Sequence, residues 1–303
     1  MKKSLVLFTV LLLCASLITG CSSLSANTAP TWKSQKTQNP LGDVWGTSSS
    51  DVFAVGAAGT ILHYNGKSWT KMNSGTNNDL IGLWGSSSSD VFAAGKQGTI
   101  LHYDGKLWNT MSIGTTTGIG RIWGDSSSDV FALGVQGVIL HYDGNSLSNL
   151  TGNTTNTLES IWGTSAADIF AVGDQGTIMH YDGNTWNSMD SGVSGPLFGV
   201  WGSSATNVFA VGLYGTLLHF DGNAWRSITD VINSNIILSD VWGTSSSDVF
   251  VVGSSGTILH QNGMVWSTMP IGTTNNIFYA VWGDSPSDVF AVDTSGNILH
   301  YSK

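Results

Sequence analysis

Cysteine is nearly missing from this chain. Cys14 and Cys21 are the two present, both close to the N-terminus, so a disulfide framework or a thiolate metal cluster is excluded for the rest. Arginine occurs twice, at Arg121 and Arg226, glutamate once, at Glu159, and charged residues make up only 10% of the 303. With a formal net charge of −9, the chain has no basic footprint of the kind nucleic acid requires. No apolar stripe of helical period is found. The one long apolar run, Leu5 to Ile18, is too short for a comfortable membrane-spanning helix. What remains is an all-β chain rich in glycine (38) and tryptophan (13).

The apolar run follows Met1-Lys2-Lys3 and ends in Leu17-Ile18-Thr19-Gly20-Cys21. A basic start, an apolar stretch and a small-residue cleavage site together read as a secretory leader over residues 1–20. Its end resembles the lipobox of bacterial lipoproteins, which implies cleavage before Cys21 and lipidation of that residue. An ordinary leader with a chance cysteine at the cut is the competing reading. Residues 21–31 are small and polar and are expected to form a flexible tether. Several acyl chains on one residue hold a protein stably at a bilayer. The expected location is therefore the extracytoplasmic side of a bacterial membrane, with membrane contact through the lipid alone. Loss of Lys2 and Lys3 takes the net charge from −9 to −11.

Trp-Gly recurs at Trp45, Trp84, Trp123, Trp162, Trp201, Trp242 and Trp282, at spacings of 39 to 41 residues. Within each repeat the first strand ends at Trp-Gly, and a Ser-rich turn leads to Val-Phe-Ala-Val or its equivalent. A Gly-x-x-Gly turn then leads to Thr-Ile-Leu-His-Tyr, and Asp-Gly or Asn-Gly to a strand carrying a second tryptophan. Such links between runs of four to six apolar residues are hairpin signals, and a four-stranded unit of this length is a propeller blade. The seventh repeat stops at His300-Tyr301-Ser302-Lys303, before its fourth strand, while Trp32 stands ahead of the first repeat. Residues near Trp32 are thus expected to supply the missing outer strand. The predicted fold is an all-β, seven-bladed propeller over residues 32–303, with four antiparallel strands per blade and the last blade closed by an N-terminal outer strand.

This pattern resembles the WD-repeat and BNR-like (Asp-box) propellers, including repeat-built lipoproteins of bacterial envelopes and the photosystem II assembly-factor type. The Trp-Asp dipeptide is absent, and Asp104-Gly105-Lys106-Leu107-Trp108 is shorter than an Asp-box. The resemblance implies fold more than activity, because propellers host many functions. A sialidase would need three arginines, which two arginines rule out. All seven histidines, His63 to His300, share one slot, so they read as structural residues between strands, too far apart to share a metal. Asp51, Asp90, Asp129, Asp168, Asp248 and Asp288 share another slot, with Asn207 in the fifth repeat, and read as turn caps. No catalytic residue, metal or cofactor is expected.

Positions that stay constant across repeats serve the blade, and those that vary are free to serve a ligand. Variation concentrates in the Gly-x-x-Gly turn and at the start of the first strand, which lie at one end of a blade. Lys96, Arg121, Glu159, Asp174, Phe198, Tyr214, Asp240 and Tyr279 are therefore expected to ring one mouth of the central channel. A mixed aromatic and charged rim suits a protein or peptide partner. The alternative is a lectin-like carbohydrate binder with equivalent clefts between blades, gaining strength by multivalency. A monomer is expected, and nucleic acid is not expected to bind.

Overall fold

Turn residues cut each repeat into four short strands, and in the computed structural model each set of four pairs as one antiparallel sheet. The structure describes residues 30–112, 116–228, 235–271 and 276–302. The leader, Cys21 and the tether up to residue 29 lie outside them. Blade 1 comprises Leu41–Ser48, Asp51–Gly56, Thr60–Tyr64 and Trp69–Met72. First strands of successive blades touch one another all the way round, blade 7 meeting blade 1. They therefore line the axis of a closed seven-sheet ring.

Closure takes place in blade 7, whose own strands are Phe278–Ser285, Asp288–Asp293 and Asn297–Ser302. Its outer strand is Thr31–Lys36, antiparallel to the third, from Thr31 opposite Ser302 to Lys36 opposite Asn297. The expectation drawn from Trp32 is met. Because each sheet is covered on both sides, its strands are apolar on both faces, as in Asp51–Gly56, where five of six residues are buried.

Apolar clusters fill the seven interfaces between blades. Phe53 of blade 1 meets Tyr103 and Trp108 of blade 2 at centroid distances of 6.0 and 6.4 Å. Phe290 of blade 7 meets Tyr64 and Trp69 of blade 1 at 5.9 and 6.3 Å. Burying each such phenylalanine contributes about 2–3 kcal/mol. Trp-Gly serves the same interfaces: a Cβ on Gly85 would stand 2.6 Å from Cη2 of Trp45, one blade back. Only glycine leaves the indole its place.

The histidine slot is structural, as expected, but its partner is a surprise. His63 Nε2 lies 2.6 Å from Asp51 Oδ1, and Thr47 donates to Oδ2 at 2.5 Å. The ring also stacks on Phe53 at 4.4 Å. The slot aspartates thus hold a histidine twelve residues on with one oxygen, and in blades 1, 2 and 4 a hydroxyl four residues back across their own turn with the other. The arrangement recurs at His102, His141, His180, His260 and His300. Blade 5 carries Asn207 instead, and there His219 Nε2 is buried without a partner. Asp104 and its equivalents do cap turns, as when Asp104 Oδ1 accepts from Lys106 and Leu107 N–H at 2.9 Å.

Candidate binding site at the channel mouth

A β-bulge at the start of every first strand aims one extra residue away from the sheet. In blade 1, Leu41 pairs with Gly56 and Asp43 with Val55, leaving Gly42 unpaired. The equivalent residues are Ile81, Gly120, Glu159, Phe198, Ser239 and Tyr279. All seven line a single cavity of about 530 Å³, together with Pro40, Asp79, Lys96, Arg121, Ile237 and Ile277. The Gly-x-x-Gly turns close its rim, each tied to the residue preceding a first strand: Ala57 N–H donates to Pro40 O at 3.0 Å and Lys96 N–H to Asp79 O at 2.9 Å. Turn and strand start therefore share one end of the blade.

The residue after each bulge stands against the next blade: Asp43, Gly82, Arg121, Ser160, Gly199, Asp240 and Ala280 in chain order. Three of these seven residues accept a backbone N–H from the next blade through their side chains: Asp43 from Leu83 at 2.8 Å, Ser160 from Val200 at 3.2 Å and Asp240 from Val281 at 3.0 Å. They stitch neighbouring first strands together below the cavity. Arg121 reaches across from blade 3, donating to Ile81 O at 2.5 Å and lying 4.0 Å from Asp43 Oδ2. The channel leaves 17% of the Arg121 side chain and 15% of Asp43 accessible. Burial pushes the Asp240 carboxyl up to about 7, against the pull of Arg121 and with a further push from Asp43. Asp43 is raised for the same first reason, with Arg121 opposing.

Five of the eight expected rim residues line the cavity: Lys96, Arg121, Glu159, Phe198 and Tyr279. Lys96 is exposed and paired with Asp79 at 2.7 Å, the carboxylate that also caps Ala58 N–H. Burial raises Glu159, with Asp174 close enough to add to the shift and Arg121 opposing it. Tyr214 is 69% exposed on the turn of blade 5, in left-handed backbone with φ 61°. Tyr214 and Asp174 stand outside the cavity lining. Asp240 is not a rim residue, because its carboxyl turns into the channel and holds blade 7. Ile237 and Ile277, which precede the first strands of blades 6 and 7, were missed by sequence reasoning. Repeat position alone marks them, two residues ahead of the varying slot at Ser239 and Tyr279.

The lining is divided. Phe198, Ile237, Ile277 and Tyr279 give blades 5 to 7 an apolar arc, and Asp79, Lys96, Arg121 and Glu159 give blades 2 to 4 a charged one. Tyr214 and Tyr279 are the aromatic residues that stand exposed among the described residues. The outer tryptophans turn inward instead: Trp108, Trp186 and Trp225 are buried, their indole N–H groups without partners. Among the described residues no group of three or more histidine, cysteine or acidic side chains is placed to hold a metal. No helix among them is long and apolar enough to cross a membrane.

Seven four-stranded blades around one axis define a seven-bladed β-propeller. No protein-family model and no curated protein matches the chain. Solved propellers do. The structure described as "YCF48 bound to D1 peptide" is similar over 93% of this chain and 99% of that one, at 14% identity and a TM-score of 0.75. YCF48 from Cyanidioschyzon merolae is similar over 90% and 99%, at 15% identity and a TM-score of 0.75. The WD40 β-propeller domain of Doa1 covers 91% of this chain and 95% of its own length, at 14% identity and a TM-score of 0.75. At this identity the likeness establishes the fold.

Proposed function

We propose that this chain is a non-enzymatic binding propeller, held at a bacterial envelope by lipid on Cys21, that captures a protein or peptide segment at the channel mouth. The observation that carries the reading is the convergence of the seven bulge residues on one cavity. The strand framework of the repeat is near-constant, yet this ring of positions holds Gly, Ile, Gly, Glu, Phe, Ser and Tyr. An apolar arc facing a charged one offers a side-chain pocket and a polar clamp to an extended segment. A YCF48 propeller solved with a peptide supports the class of partner.

The carbohydrate reading draws on repeated clefts, and a lectin of that kind would display aromatic faces between blades. The outer tryptophans pack against neighbouring blades, and the exposed tyrosines sit around one mouth. That placement favours the protein reading.

Affinity capture from the native envelope tests it, with Phe198→Ala and Tyr279→Ala variants beside the parent. A partner lost from both variants supports the mouth. A partner retained by both, together with glycan-array binding, would overturn the reading. Arg121→Ala is a poorer probe, since Arg121 also fastens Ile81. Lipidation is checked separately, by incorporation of labelled fatty acid into the parent and its loss in Cys21→Ser.

A further inference from the structure

The channel mouth is one face of the ring. The other carries the Ser-rich turns and the hairpins between third and outer strands. The outer strand of blade 7 begins there, because Thr31 is opposite Ser302 at the end of the third strand. Ten residues, Cys21 to Pro30, precede it and reach at most about 35 Å. If Cys21 carries lipid, this lower edge of blade 7 is the part of the propeller held nearest the bilayer.

The hairpins on that face are not alike. Blades 2 to 5 place Asp104, Asp143, Asp182 and Asp221 at the turn, whereas the two blades flanking blade 7 carry Asn65 and Asn262. The residue two places on is polar in blades 1 to 5, from Lys67 to Asn223, but is Met264 in blade 6. There the hairpin is tightened, with Asn262 pairing directly with Val265. Met264 is 97% exposed at its tip and Val265 66%. Lys33 on the closing strand and Lys67 on the blade 1 turn are exposed nearby. The same arc keeps four carboxylates: Asp51, Asp248 and Asp288, which hold histidines, and Asp284, which accepts Ser49 N–H. Where the chain enters, this face therefore sets two lysines against four carboxylates. Blades 2 to 5 set Lys106 and Arg226 against eight, Asp90, Asp104, Asp125, Asp129, Asp143, Asp168, Asp182 and Asp221. The exposed apolar side chain of that far arc, Leu107, stands on a turn that keeps its acid, Asp104.

We infer that blades 6, 7 and 1 form a bilayer-resting edge, with Met264 and Val265 dipping into the lipid headgroup layer and Lys33 and Lys67 meeting anionic headgroups. Apolar tip plus flanking lysine is the composition of an interfacial contact, and the far arc, with twice as many carboxylates, is repelled more strongly from the same surface. A lone exposed methionine is ordinary on a protein surface. Its coincidence with the two turns that lose their acid, on either side of the anchored strand, is what selects this face. The channel mouth then points away from the membrane, open to partners from the periplasm or medium. This rests on the lipid-anchor reading and not on what the mouth binds.

The test uses the full lipoprotein in vesicles of phosphatidylethanolamine and phosphatidylglycerol carrying nitroxide-labelled lipid. Met264→Cys, Asn184→Cys on the far arc and Tyr214→Cys at the mouth each receive an environment-sensitive fluorophore, the thiol of Cys21 being blocked by lipid. Quenching at position 264 is expected to exceed that at 184 and 214 by about threefold or more, and to fall when Val265→Asp is added. Equal quenching at all three sites, or stronger quenching at 214, in protein that sediments with the vesicles overturns the inference alone. Protein left in the supernatant with Cys21 itself labelled overturns the anchor and the inference together.

Discussion

The indole of Trp282 in blade 7 lies against Gly46 in blade 1, so close that a Cβ on Gly46 would stand 2.8 Å from Cη2 and 2.7 Å from the carbonyl oxygen of Asp51. The same relation links Trp45 to Gly85 and Trp84 to Gly124, so Trp-Gly is a self-complementary device. The tryptophan of one repeat needs the glycine of the next. Gly46→Ala is expected to cost about 1–3 kcal/mol through overpacking, since a carbonyl inside a sheet cannot yield. Gly118→Ala, whose added carbon meets nothing within 4 Å, is expected to stay within about 0.5 kcal/mol of the parent. Urea midpoints of the two variants decide it, and equal midpoints would remove the steric account of the dipeptide.

Ring closure depends on a strand remote in sequence from its blade. Trp32 lies 5.1 Å from Tyr301 and packs on the cluster containing Phe250 and Leu299. Trp32→Ala should lower stability by about 3 kcal/mol. It should also free the amides of Asn297–Ser302 for hydrogen exchange before the rest of the ring unfolds. Trp186→Ala, in the outer strand of blade 4 and packed on Phe131 and Leu133 of blade 3, is expected to leave blade 7 amides protected. Unchanged protection of blade 7 in Trp32→Ala would show that closure is held elsewhere.

Repetition made the fold readable. Seven spaced Trp-Gly pairs fixed the blade count, and the orphan Trp32 with a truncated last repeat fixed the closure. The histidine–aspartate pairs were hidden because their members belong to different strands, and only the register of Val52 with Tyr64 and Phe53 with His63 brings them together. The site was half readable for a similar reason. Variation marked both residues at each strand start, but a bulge separates their directions, sending Tyr279 to the mouth and Asp240 into the channel. An alternation rule of period two contains no bulge, so it could not divide them.

His219 is the one member of its slot without an acidic partner. Its Nε2 is buried and unpaired, and burial lowers its pKa, with Asp221 pulling the other way. A histidine held below its unfolded value favours the folded state only while neutral. Stability is therefore lost as pH falls through the unfolded value near 6.5. Asn207→Asp is expected to supply the partner seen in the other six blades and add about 1 kcal/mol. The advantage should widen below pH 6.5, where the pair becomes an ion pair. Denaturation midpoints at pH 5 and 8 test this; a variant no better than the parent at pH 5 contradicts it.

Asp240 carries the opposite sign. Its carboxyl, raised to about 7 by burial in the channel, holds its proton in the folded state across a range where the unfolded chain has released it. Folded protein then binds more protons than unfolded between about pH 4 and 7, so stability falls as pH rises through that window. The full cost applies above 7. Asp240→Asn removes the charge while its carbonyl oxygen can still accept Val281 N–H, the contact that joins blade 6 to blade 7. The variant should match the parent near pH 4 and exceed it by about 2 kcal/mol at pH 8, a gain discounted for the water that reaches the channel. Arg121 keeps Asp43 as its counter-ion, so no uncompensated cation is left behind. A difference between the two proteins that stays flat from pH 4 to 8 would mean that Asp240 is ionised throughout, with Arg121 and channel water stabilising both carboxylates.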